Sequence, residues 1–291
     1  MKANAIPDRC LSLLVVGLGP AGVACTLQAA RDGLDVLAVS DEPPGGLLRA
    51  ARRLDNLPGC PGASGLSLCE QMALQLAASR AAQLRARVER LERSADGAFS
   101  ASLDSGERIR SRCVCLATGT RPRPWDVPVE GDGRRVHRDA RSLPEALADR
   151  RVAVLGGGEA ALDTALWARD RGAEAVLLAR GEKLRSAPGL EAEAREAGVI
   201  IQLESRVERA ACTELGWALA LDRGRVFRAD ELVVCIGRVP RDELLPASTE
   251  SRAGLFLAGD LTRGRERYVA TAMGEGQQAA LAAAAFVQTG G

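Results

Sequence analysis

The chain has 291 residues, 46% of them apolar, and a formal net charge of +1. That length holds one large or two medium domains with full cores. The near-neutral balance does not point to a nucleic-acid or membrane surface. No apolar run approaches the roughly 20 residues of a spanning helix, so a cytoplasmic protein is expected.

Lys2 and Arg9 precede the apolar run Leu11-Ser12-Leu13-Leu14-Val15-Val16. The run ends in a glycine turn, so it reads as a first strand rather than a signal peptide. The turn is Gly17-Leu18-Gly19-Pro20-Ala21-Gly22, and it opens a helix over 21–32 that Gly33 stops. Residues 35–39 form a second strand. This is a Rossmann βαβ unit: the glycines allow a tight turn and close backbone approach, and the helix N-terminus receives a pyrophosphate. An acidic residue beyond the second strand would bind the adenosine ribose. Asp41 and Glu42 both follow Ser40, and Glu42 is the preferred candidate.

Turn-rich loops come next, Pro43-Pro44-Gly45-Gly46-Leu47-Leu48 and Leu54-Asp55-Asn56-Leu57-Pro58-Gly59. Irregular segments of that length in a compact domain usually carry function. A helix over 65–80 follows, then strands over 83–91 and 99–103, and a buried strand over 113–117 closed by Thr118-Gly119-Thr120. Arg121-Pro122-Arg123-Pro124 reads as a linker, because X-Pro steps disfavour helix.

The opening plan then repeats. A strand over 151–155 leads into Gly156-Gly157-Gly158-Glu159-Ala160-Ala161, with a helix over 160–171, a stop at Gly172 and a strand over 175–178. A helix over 191–197 and strands over 199–203, 218–221 and 232–236 come after. Arg238-Val239-Pro240-Arg241 is a return linker. Residues 254–260 form a short strand ending in Asp260, and an Ala-rich helix over 268–287 closes the chain. The fold class is α/β, with two Rossmann-like dinucleotide-binding domains. The first domain, 1–120 and 245–291, is discontinuous, and the second, 121–244, is inserted in it. Two glycine loops in strand–turn–helix context imply two dinucleotides.

The eight cysteines are Cys10, Cys25, Cys60, Cys69, Cys113, Cys115, Cys212 and Cys235, and no two are separated by two residues. There is thus no Cys-x-x-Cys redox or metal pair. Cys113 and Cys115 share one face of a strand and read as core residues, as does Cys25. Cys60, in a turn, is the more exposed thiol. His137 is the one histidine, too few for a His-based metal site, and it reads as a surface residue of a linker-like stretch. No metal is expected.

Taken together, these motifs resemble the low-molecular-weight thioredoxin reductase family, nearly end to end. The resemblance rests on Gly17–Gly22, Gly45-Gly46, Asn56-x-Pro58-Gly59, Ala117-Thr118-Gly119, Gly156-Gly157-Gly158-x-x-Ala161, Ile236-Gly237 and Gly254-x-Phe256-x-Ala258-Gly259-Asp260. It implies FAD in the first domain, NADPH or NADH in the second, and a homodimer. By resemblance the FAD would lie on Gly17, Gly19, Pro20, Ala21, Gly22, Glu42, Gly46, Leu47, Asn56, Val88, Thr118, Gly119 and Asp260. Tyr268 and Val269 would lie near the flavin ring. The nicotinamide nucleotide would lie on Gly156, Gly158, Glu159, Ala160 and Gly237, and the linkers would act as hinges. The family's NADPH signature, His-Arg-Arg-x-x-x-Arg, is matched by Ala179-Arg180-Gly181-Glu182-Lys183-Leu184-Arg185. Arg180 and Arg185 keep the pattern and suit a 2′-phosphate. Ala179 and Gly181 depart from it, so NADH stays open beside NADPH.

One departure concerns the chemistry. Counting back without gaps from Arg151, the family's redox cysteines fall at Asp139 and Ser142. Neither forms a disulfide. Asp139 would be a solvated acid paired with Arg138 or Arg141. The implied activity is an NAD(P)H-dependent flavoprotein oxidoreductase that delivers electrons from flavin to an external acceptor, a small redox protein such as a ferredoxin or a small molecule. Ferredoxin–NADP reductases of the thioredoxin-reductase type and bacillithiol-disulfide reductases also lack the pair. Two alternatives stand: a disulfide reductase using Cys25, Cys60 or a partner's dithiol, and a flavin-binding subunit with little activity alone.

Overall fold

A computed structural model describes residues 9–79, 81–131, 136–246, 252–264 and 266–290. Lys2 and the expected helix end at Arg80 lie outside these residues. In chain order, β1 (Leu11–Val16), α1 (Pro20–Arg31), β2 (Val36–Val39), α2 (Gly65–Ser79), β3 (Ala82–Leu84), β4 (Val88–Arg93), β5 (Phe99–Leu103), β6 (Arg108–Leu116) and β7 (Thr120–Pro122) come first. Next are β8 (Val129–Gly131), β9 (Arg151–Leu155), α3 (Glu159–Arg169), β10 (Glu174–Leu178), α4 (Pro188–Glu196), β11 (Ile200–Gln202), β12 (Val207–Thr213), β13 (Gly216–Leu221), β14 (Val226–Ala229), β15 (Glu231–Val234) and β16 (Arg238–Pro240). The chain closes with β17 (Leu255–Leu257) and α5 (Val269–Gln288).

These elements form two compact units. The first comprises Met1–Arg49, Leu54–Arg121 and Pro240–Gly291; the second comprises Ala50–Arg53 and Pro122–Val239. The segments expected to be linkers, 121–124 and 238–241, are partly strand, because β7 and β16 pair as a two-stranded ribbon. Proline is tolerated there, as on any edge strand whose N–H side is unused.

In the first unit the sheet order is β3-β2-β1-β6-β5-β4. The β3, β2, β1 and β6 strands run parallel, while β5 and β4 are antiparallel. Strand β6 has two kinds of neighbour on one side. Its first half pairs with β5, and its second half pairs in parallel with β17, Val114 opposite Leu255. The expected strand over 83–91 is two strands, β3 and β4, because the chain leaves the parallel sheet after Leu84 and returns antiparallel. Alternate residues of β1 and β6 serve opposite faces. Leu14, Val16, Val114 and Leu116 join Phe99 and Ile109 in one core. Leu13, Val15, Cys113 and Cys115 face the other way and are fully buried. Helices α1 and α5 pack on each other.

The second unit has a parallel sheet, β11-β10-β9-β15, and a second sheet, β14-β13-β12-β8. Period-two alternation again divides two cores. Val152 and Val154 pack with Leu162 and Ala165 of α3. Ala153 and Leu155 pack with Trp217 and Leu219 of the second sheet. Strands β9, β10 and β15 of the parallel sheet are buried on both faces, which is why each is a near-continuous apolar run. Among the described residues no helix is long and apolar enough to cross a membrane.

Candidate dinucleotide-binding sites

In the first unit, β1 turns into α1 through Gly17, whose φ is +97°. A Cβ there would lie 2.5 Å from the carbonyl oxygen of Ala117, and one on Gly22 would lie 1.8 Å from the carbonyl oxygen of Gly17. Only glycine closes this turn. The N-cap, Gly19, places no side chain on the helix end, Pro20 opens the helix, and no acid stands in the first turn. Nothing lies within 4 Å of a Cβ built on Gly19. The α1 N-terminus therefore presents positive partial charge to open space, as a pyrophosphate requires.

Three other segments converge on this turn. The Gly45 N–H donates to the Leu18 carbonyl at 2.7 Å, and Gly46 packs on Gly19, with an added Cβ 3.3 Å from the Gly19 Cα. Ala117 seats the start of Thr118-Gly119 against Gly17, and Thr118 Oγ1 donates to the Arg241 carbonyl at 2.7 Å. Gly259, the residue before Asp260, packs on Ala21, with an added Cβ 2.8 Å from the Ala21 Cβ. All lie beyond the carboxyl ends of β1, β2, β6 and β17, where open α/β sheets bind ligands.

The remaining expected residues are less uniform. Asp41 is tied to Arg87 at 3.0 Å, and Glu42 is exposed, its N–H 3.2 Å from Ser40 Oγ. Asn56 is exposed in a loop closed by the Leu54–Ala63 bridge. The Val88 side chain is buried in the core with Leu37 and Val39. Tyr268 is the N-cap of α5 and 43% exposed, and Val269 opens that helix.

In the second unit, Gly156 has φ +146°, and a Cβ there would lie 2.3 Å from the Cys235 carbonyl oxygen. Gly158 caps α3, again without a side-chain bond, and Glu159 and Ala160 are exposed in its first turn. The Arg185 N–H donates to the Gly157 carbonyl at 2.6 Å, so the stretch containing Arg185 is pinned beside the glycine loop. Arg180 and Arg185 are exposed. Among the described residues neither guanidinium is paired with a carboxylate. Gly237 is exposed with φ +111°.

Asp139 and Ser142, the positions expected to match the family's redox cysteines, form a structured turn. Asp139 caps the short 3₁₀ turn Ala140–Ser142 by accepting from the Arg141 N–H at 3.0 Å. It pairs with the Arg141 guanidinium at 2.9 Å and is largely buried rather than solvated. Burial works against its charge, but the Arg141 hydrogen bonds outweigh it, and the carboxyl stays below the usual range. His137 is a correction as well: it is buried, 5% exposed, not a surface residue. Its Nδ1 lies 3.0 Å from Ser142 Oγ and its Nε2 3.1 Å from Glu231 Oε2, and Arg150 grips the other Glu231 oxygen at 2.7 Å. Burial opposes the Glu231 charge, yet His137 and Arg150 hold its carboxyl below the usual range.

The thiols are mostly closed in. Cys25, Cys113 and Cys115 are fully buried. Burial pushes Cys113 to about 11 and Cys235 to about 11. Cys60 is half-buried rather than open.

Two Rossmann units, each with an uncapped, glycine-lined helix N-terminus, define a protein built to bind two dinucleotides. The chain belongs to the family described as pyridine nucleotide-disulphide oxidoreductase, whose model matches residues 11–276. It is similar to the thioredoxin reductase of Treponema pallidum, at 27% identity over 95% of this chain and 97% of that protein. It is also similar to ferredoxin–NADP reductase 1 of Cupriavidus necator, at 28% identity over 88% of this chain and 83% of that one. The crystal structure of Lactococcus lactis thioredoxin reductase shares the fold, with a TM-score of 0.86 at 22% identity, covering 96% of this chain and 99% of that one. The chain is an NAD(P)H-dependent flavoprotein oxidoreductase, in a family whose thioredoxin reductase and ferredoxin reductase members bind FAD and NADPH.

Proposed function

We propose that the first unit holds FAD, the second holds NADPH, and electrons leave for an external acceptor without an internal dithiol. The residues present fit the cofactors. The Gly17–Gly22 turn offers an uncapped helix end for a pyrophosphate, with Gly46, Thr118 and Asp260 around it. Gly156–Gly158 offers a second one. Arg180 and Arg185 would grip a 2′-phosphate by charge-assisted hydrogen bonds, which favours NADPH over NADH. FAD, when bound, supplies the centre that accepts hydride from a nicotinamide and passes electrons on.

One observation carries the reading of the output: Asp139 and Ser142 occupy a capped, hydrogen-bonded turn, and no Cys-x-x-Cys occurs anywhere in the chain. An Asp held ionised by Arg141 cannot carry electrons. Cys25, Cys113 and Cys115 are buried out of reach of an external acceptor. The acceptor is accordingly a separate redox protein, as the Cupriavidus relative's name states for ferredoxin, or a small oxidant.

Anaerobic mixing of the FAD-loaded protein with NADPH tests this. Rapid loss of the oxidised flavin's visible absorption is expected, followed by its return on adding ferredoxin or a quinone. A flavin that stays oxidised under excess NADPH and NADH contradicts the reading. Reoxidation only by a disulfide, abolished in Cys60→Ser, would favour a disulfide reductase instead.

A further inference from the structure

Glu275 lies on α5, sixteen residues beyond Gly259, and reaches back to the turn that carries Asp260. The Gly259 N–H donates to Glu275 Oε2 at 2.7 Å, and Thr262 Oγ1 lies 3.2 Å from the same oxygen. Its other oxygen, Oε1, accepts from Arg263 Nε at 2.5 Å and from the Arg263 Nη2. Arg267 in turn donates to the Arg263 carbonyl at 2.9 Å. The Glu275 side chain is only 14% exposed.

The next residue, Gly276, touches the other wall of the site. A Cβ there would lie 2.0 Å from the Ala21 carbonyl oxygen, inside the phosphate turn. Gly259 also packs on Ala21. One short stretch of α5, Glu275-Gly276, thus sets both the α1 N-terminus and the Gly259-Asp260 turn.

We infer that Glu275 is a positioning residue for FAD. It fixes the Asp260 turn against the phosphate-binding helix end, with Arg263 neutralising its charge beside the expected phosphates. This rests on the reading that the first unit binds FAD. The buried Gly259 N–H needs an acceptor, and a carboxylate bound to an Arg fork is a strong and geometrically defined one. Without it, the turn loses a charge-assisted bond, and the Arg263 guanidinium is left to compete for Asp260 or for the phosphates.

Glu275→Ala, Glu275→Gln and Arg263→Ala would be stripped of flavin and titrated with FAD, with bound-flavin fluorescence and melting temperature as readouts. A weakening of FAD binding by roughly 10–100-fold is expected for Glu275→Ala, the scale of one lost charge-assisted bond, with smaller losses in the other two. The FAD-induced rise in melting temperature should shrink as well. A merely structural Glu275 would lower the apo and FAD-bound melting temperatures equally and leave that rise unchanged, overturning the inference. If Glu275→Ala does not fold, wild-type affinity in both Glu275→Gln and Arg263→Ala overturns it too. Asp260→Ala separates the two levels. Loss of FAD there with unaltered Glu275 variants keeps the FAD site and rejects the positioning role, while no FAD uptake by the wild type rejects both.

Discussion

Gly276 of α5 brings its backbone so close to Ala21 of α1 that an added Cβ would lie 2.0 Å from the Ala21 carbonyl oxygen. Gly274, two residues earlier on the same helix, is the contrast: nothing lies within 4 Å of a Cβ added there. Gly276→Ala is therefore expected to force α1 and α5 apart, at a cost of about 1–3 kcal/mol for overpacking, and to lower flavin content on purification. Gly274→Ala should be neutral or stabilising by about 0.5–1 kcal/mol. Thermal melts and the flavin-to-protein absorbance ratio of the two variants check this.

Arg180 and Arg185 have no carboxylate partner among the described residues, and Arg185 is pinned to Gly157 through its backbone. Removing either side chain should leave the loop in place. Arg180→Ala and Arg185→Ala should each raise KM for NADPH by roughly 10-fold or more, the scale of a charge-assisted contact, while changing KM for NADH little. Steady-state kinetics with both nucleotides and one acceptor would show it. Equal losses for both nucleotides would mean the arginines do not read the 2′-phosphate.

Glu231 supports the fold through His137 and Arg150, and its carboxyl is held below its usual value of 4.5. A carboxyl lowered in the folded state contributes stability that is present above about 4.5 and lost as pH falls through the lower folded value. Glu231→Gln should thus be destabilised relative to the wild type at pH 7, with the gap closing in acid. A difference in melting temperature that does not vary with pH would contradict this account.

Asp163 of α3 behaves oppositely. Burial raises its carboxyl to about 6, against the Arg52 N–H bond at 2.9 Å and the Arg52 charge. The unfolded chain releases this proton near 3.8 and the folded one near 6, so stability drains away between those values and is fully lost above the second. Asp163→Asn should remove that drain. Its stability relative to the wild type should rise across pH 4–6, by on the order of 2–3 kcal/mol for a shift of this size. Chemical denaturation at several pH values measures the trend.

Much of this architecture was legible locally. Leu11–Val16 and Gly17–Gly22 announce a strand, a turn and a helix within a dozen residues, because period, glycine placement and helix start are all short-range signals. The strands that escaped notice, β8, β12 and β14, carry charge and are half-exposed. Val207-Glu208-Arg209 is apolar at only one position in three, and its strand state comes from pairing with β13. His137 reads as a surface residue because its partner Glu231 lies 94 positions away. Glu275 sits between Gly274 and Gly276 in an Ala-rich helix, and nothing nearby marks it as the acceptor of the Gly259 N–H. Such groups are defined by where distant elements meet, which a linear pattern does not encode.

The central claim is that reducing equivalents stop at the flavin before leaving the chain. Anaerobic reductive titration of the FAD-loaded protein tests it most directly. Without a dithiol partner, about two electrons per bound flavin should complete the reduction. Uptake of about four electrons, the capacity of a flavin joined to a redox disulfide, would contradict the account.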